Sequence, residues 1–310
     1  MIEPRLNYVL CPGAACGAVP PVQDGVALHR LAYWEWNQTG RSDHPHVIVC
    51  VHGLTRQGRD FDVLAQALSH HARIICPDMA GRGHSDWLAD PMAYGVPQYT
   101  ADMLMLLQHV HTRAPIGTLD WVGTSMGGLI GMAVAGSPGL ALPAPVRRLL
   151  LNDVGPRLEW AALQRISAYV GEPVRFDSIE EGAALMRVIS ASFGPHTDAQ
   201  WLALSAPMLR PLPQGGFGLH YDPQIAVPMQ GMSREQVDQG EALLWALYDA
   251  IAAQTLVLRG AESDLLSAAT VQEMAQRGPQ ARSATLEGVG HAPTLVQPEQ
   301  VALVQEFLFG

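Results

Sequence analysis

The stretch LDWVGTSMGGLIGMAVAG, residues 119–136, changes character in its middle. Leu119 to Val122 is an apolar, strand-like run, and Leu129 to Gly136 is a helix of small residues. Between them Gly123-Thr124-Ser125-Met126-Gly127 forms a G-x-S-x-G pentapeptide, with Gly128 behind it. A turn that passes directly from strand to helix forces its central residue into strained backbone, and residues two before and two after collide unless they lack side chains. The result is a hydroxyl lifted above the sheet, beside helix N-terminal N–H groups that stabilise negative charge. A serine that merely caps a helix needs neither flanking glycine. Ser125 is therefore the candidate nucleophile.

Outward from this turn, strand and helix patterns alternate. HVIVCVHG (46–53) and ARIICPDMAG (72–81) are short β-branched runs of the kind buried on both faces, and DFDVLAQALSHH (60–71) between them has helical apolar spacing. A helix over 98–112 leads into the strand before Ser125, and VRRLLLNDVG (146–155) and QTLVLRGAES (254–263) are two further buried strands. VALHRLAYWEW (26–36) alternates as an edge strand would. The order predicts an α/β fold, a doubly wound, mostly parallel sheet whose site lies at the carboxyl ends of its strands. The rhythm breaks between Pro156 and Arg234, where helical pieces and a Pro/Gly/aromatic loop replace strands. The predicted organisation is an N-terminal arm at 1–25, irregular over the Pro/Gly/Ala-rich residues 11–21, a core at 26–155 and 235–310, and a helical cap at 156–234.

A hydroxyl needs a base. Of twelve histidines, His291 is the best placed, in a loop past a short final strand and ahead of the C-terminal helix. His52 and His84 also follow strands and suit loop-scaffolding roles, while His109 and His111 face apart on one helix and make a poor metal pair. The turn VHGLTRQG after a central strand places the backbone N–H of Leu54 where it can join that of Met126 around a developing alkoxide. Two aspartates, Asp153 and Asp264, stand just past strand ends, and each could orient His291.

Composition excludes other classes. The chain has 310 residues, 48% of them hydrophobic, and a net charge of −10 without any Lys/Arg cluster. It offers neither a nucleic-acid footprint nor a membrane anchor. Four cysteines do not build a disulfide scaffold. Cys11 and Cys16 lack a second pair at zinc spacing, so the expectation is a reducing, cytoplasmic protein with no metal and no cofactor.

The segments VHG (51–53), PDMAGRGHSD (77–86), GTSMGG (123–128), RGAESD (259–264) and GVGHAP (288–293), in this order, resemble the α/β-hydrolase superfamily. The resemblance runs from about residue 26 to the end of the chain. It implies a Ser125–His291–acid triad, an oxyanion hole at Leu54 and Met126, and a cap over the pocket. It also favours Asp264 as the acid, because the superfamily most often draws it from the loop after the later strand, with Asp153 the alternative. The dehalogenase-like and epoxide-hydrolase-like branches carry Asp where this chain has Ser125. The expected function is cleavage of a carboxylic ester, lactone or short polyester with an apolar portion through an acyl-enzyme. C–C bond hydrolysis of the meta-cleavage type, cofactor-free haloperoxidase chemistry and non-catalytic ligand binding are the alternatives. A C–C hydrolase substrate carries a carboxylate, for which Arg157, Arg165, Arg187 and Arg210 are available in the cap. The apolar richness of that segment nominates Trp201 and Phe217 as pocket residues.

Overall fold

Strands covered on both faces must send alternate side chains into two separate cores, and the computed structural model, which describes residues 2–17 and 21–310, has that arrangement. In β4 (His46–Val51), Val47, Val49 and Val51 enter one core while Ile48 and Cys50 enter the other. In chain order the preceding strands are β1 (Arg5–Pro12), β2 (Val22–Gln23) and β3 (Val26–Trp36), and β4 is followed by α1 (Asp62–Leu68), β5 (Arg73–Asp78) and α2 (Val96–Arg113). Next come β6 (Thr118–Thr124), α3 (Met126–Gly136) and β7 (Val146–Asn152). The chain then leaves the sheet for α4 (Trp160–Ser167), α5 (Ile179–Ile189), α6 (Asp198–Ser205) and the hairpin β8 (Leu209–Pro211) and β9 (Phe217–Leu219). It returns with α7 (Arg234–Asp249), β10 (Gln254–Gly260), α8 (Ala268–Met274), β11 (Arg282–Leu286) and α9 (Pro298–Phe309).

Among the described residues the main sheet runs β1-β3-β5-β4-β6-β7-β10-β11, with β2 paired to β3. From β5 to β11 all neighbours are parallel, and β3 and β1 join antiparallel. The first core holds Trp121, Leu149, Leu151 and Val257 beneath α2, α3 and α7, and the second holds Val122, Leu150 and Leu258 beneath α1 and α9. Glycine permits the closest of these approaches: a Cβ on Gly131 would strike the Trp121 ring and one on Gly136 the backbone of Leu247 in α7. Because β5 and β6 flank β4 on opposite sides, the order in which strands are added reverses there, and Ser125 follows the carboxyl end of β6 at that switch.

Two expectations are corrected here. Residues Arg5–Pro12 of the expected N-terminal arm form the edge strand, with Val9 and Cys11 buried and Tyr8 and Leu10 turned outward, so β3, expected at the edge, is interior. Residues 18–20 of the expected irregular segment lie outside the described residues. The segment between β7 and α7 also carries a two-stranded sheet of its own, separate from the main one. Cys11 and Cys16 are both free thiols, the first buried and the second exposed. Cys11 lies with His29 and Asp102 in a buried cluster whose ligand-type atoms fall within 4.8 Å of one another. There His29 Nε2 and Asp102 Oδ2, 3.3 Å apart, link β3 to α2.

Candidate active site

The elbow is built by steric exclusion. Ser125 adopts φ of 51° and ψ of −117°, a conformation few side-chain-bearing residues tolerate. A Cβ on Gly123 would collide with the backbone of Gly127 and Gly128, one on Gly127 with the carbonyl of Val51, and one on Gly128 with the Val154 side chain. All three glycines are thus required by backbone passing within contact distance of backbone or core. The Ser125 N–H donates to Asn152 O at 3.0 Å, which ties the turn to the end of β7.

From this position the Ser125 hydroxyl donates to His291 Nε2 at 3.0 Å. The opposite ring nitrogen, Nδ1, donates to Asp153 Oδ2 at 2.7 Å. Asp153 is fully buried and takes a positive φ of 57°, a left-handed conformation that aspartate accepts more readily than most residues. Its carboxylate also accepts from the Gly260 N–H at 2.9 Å and from the Ser263 hydroxyl at 2.6 Å. Three hydrogen bonds thus fix the carboxylate, and the imidazole is held in the tautomer that leaves Nε2 free to take a proton.

Asp264 does not stand behind His291, contrary to expectation. The turn after β10 directs Ser263 inward to Asp153, so its neighbour Asp264 faces outward, where it pairs with Arg165 through both carboxylate oxygens at 2.8 and 3.0 Å. Consecutive residues of a tight turn cannot both point into the same crevice, and the serine occupies it.

Leu54 is positioned by its neighbours. Gly53 lies against Ser125, an added Cβ there being 3.6 Å from the serine Cβ. The carbonyl of Gly53 accepts from His52 Nδ1 at 2.7 Å and from the Arg56 N–H at 3.1 Å. In a planar trans peptide the Leu54 N–H points opposite that carbonyl, away from His52. His52 in turn accepts the Met79 N–H on Nε2 at 3.0 Å and is fully buried. Burial drives its pKa down to about 3, so the ring stays a neutral bracket for the loop. Met126 opens α3, where the first N–H groups have no partner within the helix.

A cavity of about 100 Å³ contains Ser125, His291, Gly53 and Leu54, and the segment after β7 closes it with Ile166, Tyr169, Met186, Ile189 and Phe193. The two aromatic residues expected there are placed elsewhere. Trp201 is buried behind the wall, its ring parallel to that of Phe193 with centroids 6.4 Å apart. Phe217 is spent on β9, exchanging backbone hydrogen bonds with Phe176 at 2.8 and 2.9 Å. Aromatic content alone does not distinguish a residue lining a cavity from one supporting it. A larger hollow of about 710 Å³, lined by Gln254 and Arg282, lies where β10 and β11 begin, at the wrong end of the strands for such a site.

The loop bearing His291 is fastened to the same segment. The Ser192 hydroxyl donates to His291 O at 2.8 Å and Gly290 N–H donates to Ser192 O at 2.6 Å. His196 Nε2 meets the Thr294 hydroxyl at 2.8 Å, and Asn152 Nδ2 donates to Pro293 O at 2.8 Å. Asn152, Ser192 and Ser263 carry no sequence signature of these roles.

A sequence model of the alpha/beta hydrolase family matches residues 48–303. The chain belongs to the alpha/beta hydrolase family. This hydrolase is 50% identical to the 3-hydroxybutyrate-oligomer hydrolase of Cupriavidus necator, the alignment covering 99% of each chain. It is 26% identical to a pimeloyl-acyl-carrier-protein methyl ester esterase of Xanthomonas campestris over 84% of this chain and 93% of that one. An alpha/beta hydrolase crystal structure from Novosphingobium aromaticivorans superposes with a TM-score of 0.80 at 35% identity, covering 99% of both chains. No described helix of the hydrolase is long and apolar enough to cross a membrane.

Proposed function

We propose that the protein hydrolyses short hydroxyacyl esters of the 3-hydroxybutyrate-oligomer type through a Ser125 acyl-enzyme, with residues 156–234 acting as the cap that admits substrate. The observation that carries this reading is the unbroken relay from Ser125 Oγ through His291 to the buried Asp153, with steps of 3.0 and 2.7 Å, opening on a cavity. The full-length likeness to an oligomer hydrolase supports the substrate class.

In this mechanism Ser125 Oγ attacks the ester carbonyl while His291 Nε2 takes its proton. The carbonyl oxygen becomes an alkoxide between the N–H groups of Leu54 and Met126, each such donor contributing about 3 kcal/mol at the transition state. His291 then protonates the leaving alcohol, and Asp153 supports the transient imidazolium. Water, deprotonated by His291, attacks the acyl-enzyme and releases the acid, restoring Ser125.

The test is turnover of p-nitrophenyl butyrate and of a 3-hydroxybutyrate dimer, with a fluorophosphonate as label. Ser125→Ala is expected to lose at least about a thousandfold in kcat and all labelling, with the fold unchanged by circular dichroism. Retention of more than about a tenth of kcat by that variant removes Ser125 from the role of nucleophile.

A further inference from the structure

Of the four arginines considered for the cap, three are committed away from the cavity. Arg157 pairs with Glu241 and Glu273, Arg187 with Asp198, and Arg210 lies over the Trp87 ring. Arg165, on α4, lines the cavity that contains Ser125. Its Nε and Nη2 donate to Asp264, which occupies one edge of the guanidinium fork. A guanidinium has five N–H donors, and Asp264 takes only those on Nε and Nη2, leaving Nη1 to a further acceptor. Tyr169, four residues on, lines the same cavity with its hydroxyl oxygen toward the Arg165 guanidinium, and burial raises the pKa of its phenol, so the hydroxyl keeps its proton to donate. The Arg165–Asp264 pair is about half exposed on each side, 46% and 48%. An exposed pair of this kind contributes little to stability, so its geometry serves to aim the guanidinium more than to hold the fold.

The surroundings define what such a cation would receive. The protein carries a net charge of −10, so an anionic substrate approaches against the overall field unless a cation waits at the site. Ile166, Met186 and Ile189 offer an apolar wall beside Arg165. Arg165 and Ser125 line one small cavity of about 100 Å³, so the cation and the hydroxyl face the same confined space.

We infer that Arg165, aimed by Asp264 and assisted by the Tyr169 hydroxyl, is the anchor for a free carboxylate on the substrate, so that the hydrolase selects short hydroxyacyl esters ending in an acid over the same esters capped at that end. This rests on the reading given under Proposed function, and it makes Arg165 a specificity residue, with Asp264 positioning it. A bidentate Arg–carboxylate contact is a charge-assisted pair in which lysine does not substitute.

Binding tests the anchor without turnover. In the full-length Ser125→Ala protein, calorimetry with the 3-hydroxybutyrate dimer and with its methyl ester should show the free acid binding at least about tenfold more tightly. Adding Arg165→Gln should bring that ratio close to one, and adding Arg165→Lys should leave an intermediate value. Should Arg165→Gln fail to fold by circular dichroism, Asp264→Asn replaces it, and loss of aim should lower the ratio at least about threefold. Equal binding of acid and ester, a preference that survives loss of Arg165, or no binding of either compound overturns the anchor. Release of p-nitrophenol by the unmodified protein reports the hydrolase reading separately, so either can fail while the other stands.

Discussion

Replacing Asp153 by asparagine tests the site where sequence and structure diverge. The Oδ1 side of the residue can keep its hydrogen bond from the Gly260 N–H. On the other side an NH2 group replaces the oxygen that now accepts from both His291 Nδ1 and the Ser263 hydroxyl. Ser263 can rotate to accept, since its oxygen already receives the Leu266 N–H at 3.1 Å. His291 can accept only by moving its proton to Nε2, which then donates toward Ser125 and no longer serves as base. The expected loss is about a thousandfold to ten-thousandfold in kcat, roughly 4 to 5.5 kcal/mol of transition-state stabilisation. Asp264→Asn touches only the half-exposed partner of Arg165 and is expected to cost less than about tenfold in kcat on p-nitrophenyl butyrate, well short of losing a triad member. Both variants should be assayed under identical conditions, with folding verified by thermal melts. If Asp264→Asn proves the more damaging to kcat, or Asp153→Asn retains activity within tenfold, the assignment of the acid to the end of β7 is wrong.

Two further outcomes follow from named groups. Burial lowers the His52 pKa from 6.5 to about 3 and raises that of Asp78 from 3.8 to about 6. Unfolding therefore takes up a proton at His52 and releases one at Asp78 between pH 4 and 6, and their effects on stability nearly cancel there. Asp78→Asn should unmask the histidine, so that acidification from about pH 6 to pH 4 costs that variant about 2 kcal/mol more than the unmodified protein. Equal urea midpoint shifts for the two proteins would contradict this. In the cavity wall, Phe193→Ala should change the preference among p-nitrophenyl acyl chains more than it lowers kcat on the best of them, because Phe193 lines the cavity. Uniform loss across the series would make Phe193 a structural residue only.

What could be read from the sequence was what local sterics and periodicity determine. Gly123, Gly127 and Gly128 are demanded by a turn that any chain would need to build, and the β-branched runs of β4 and β5 and the leucine run of β7 announce their two-sided burial. The relay partner of His291 is of another kind. Whether Ser263 or Asp264 faces inward depends on the path of one turn against a strand more than a hundred residues away, and no spacing encodes that. The edge strand was hidden because RLNYVLCP leads directly into the Pro/Gly/Ala-rich stretch, although Val9 and Cys11 do alternate inward. Trp201 and Phe217 have the chemistry of pocket residues, and the fold uses both as support.

The cover of this site is sewn to its base. The Ser192 hydroxyl, the Ser192 carbonyl and His196 all grip the backbone or side chains of residues 290–294, so the corner after α5 and the histidine loop form one mechanical piece. A lid that swung away as a whole would drag His291 off Ser125 and switch the catalyst off as it opened. The opposite end of the segment, at α4, is held to the core differently, by the Glu159 N–H on Leu265 O at 3.2 Å and by the half-exposed Arg165–Asp264 pair. Excising the whole segment would therefore remove a support of the His291 loop along with the cover.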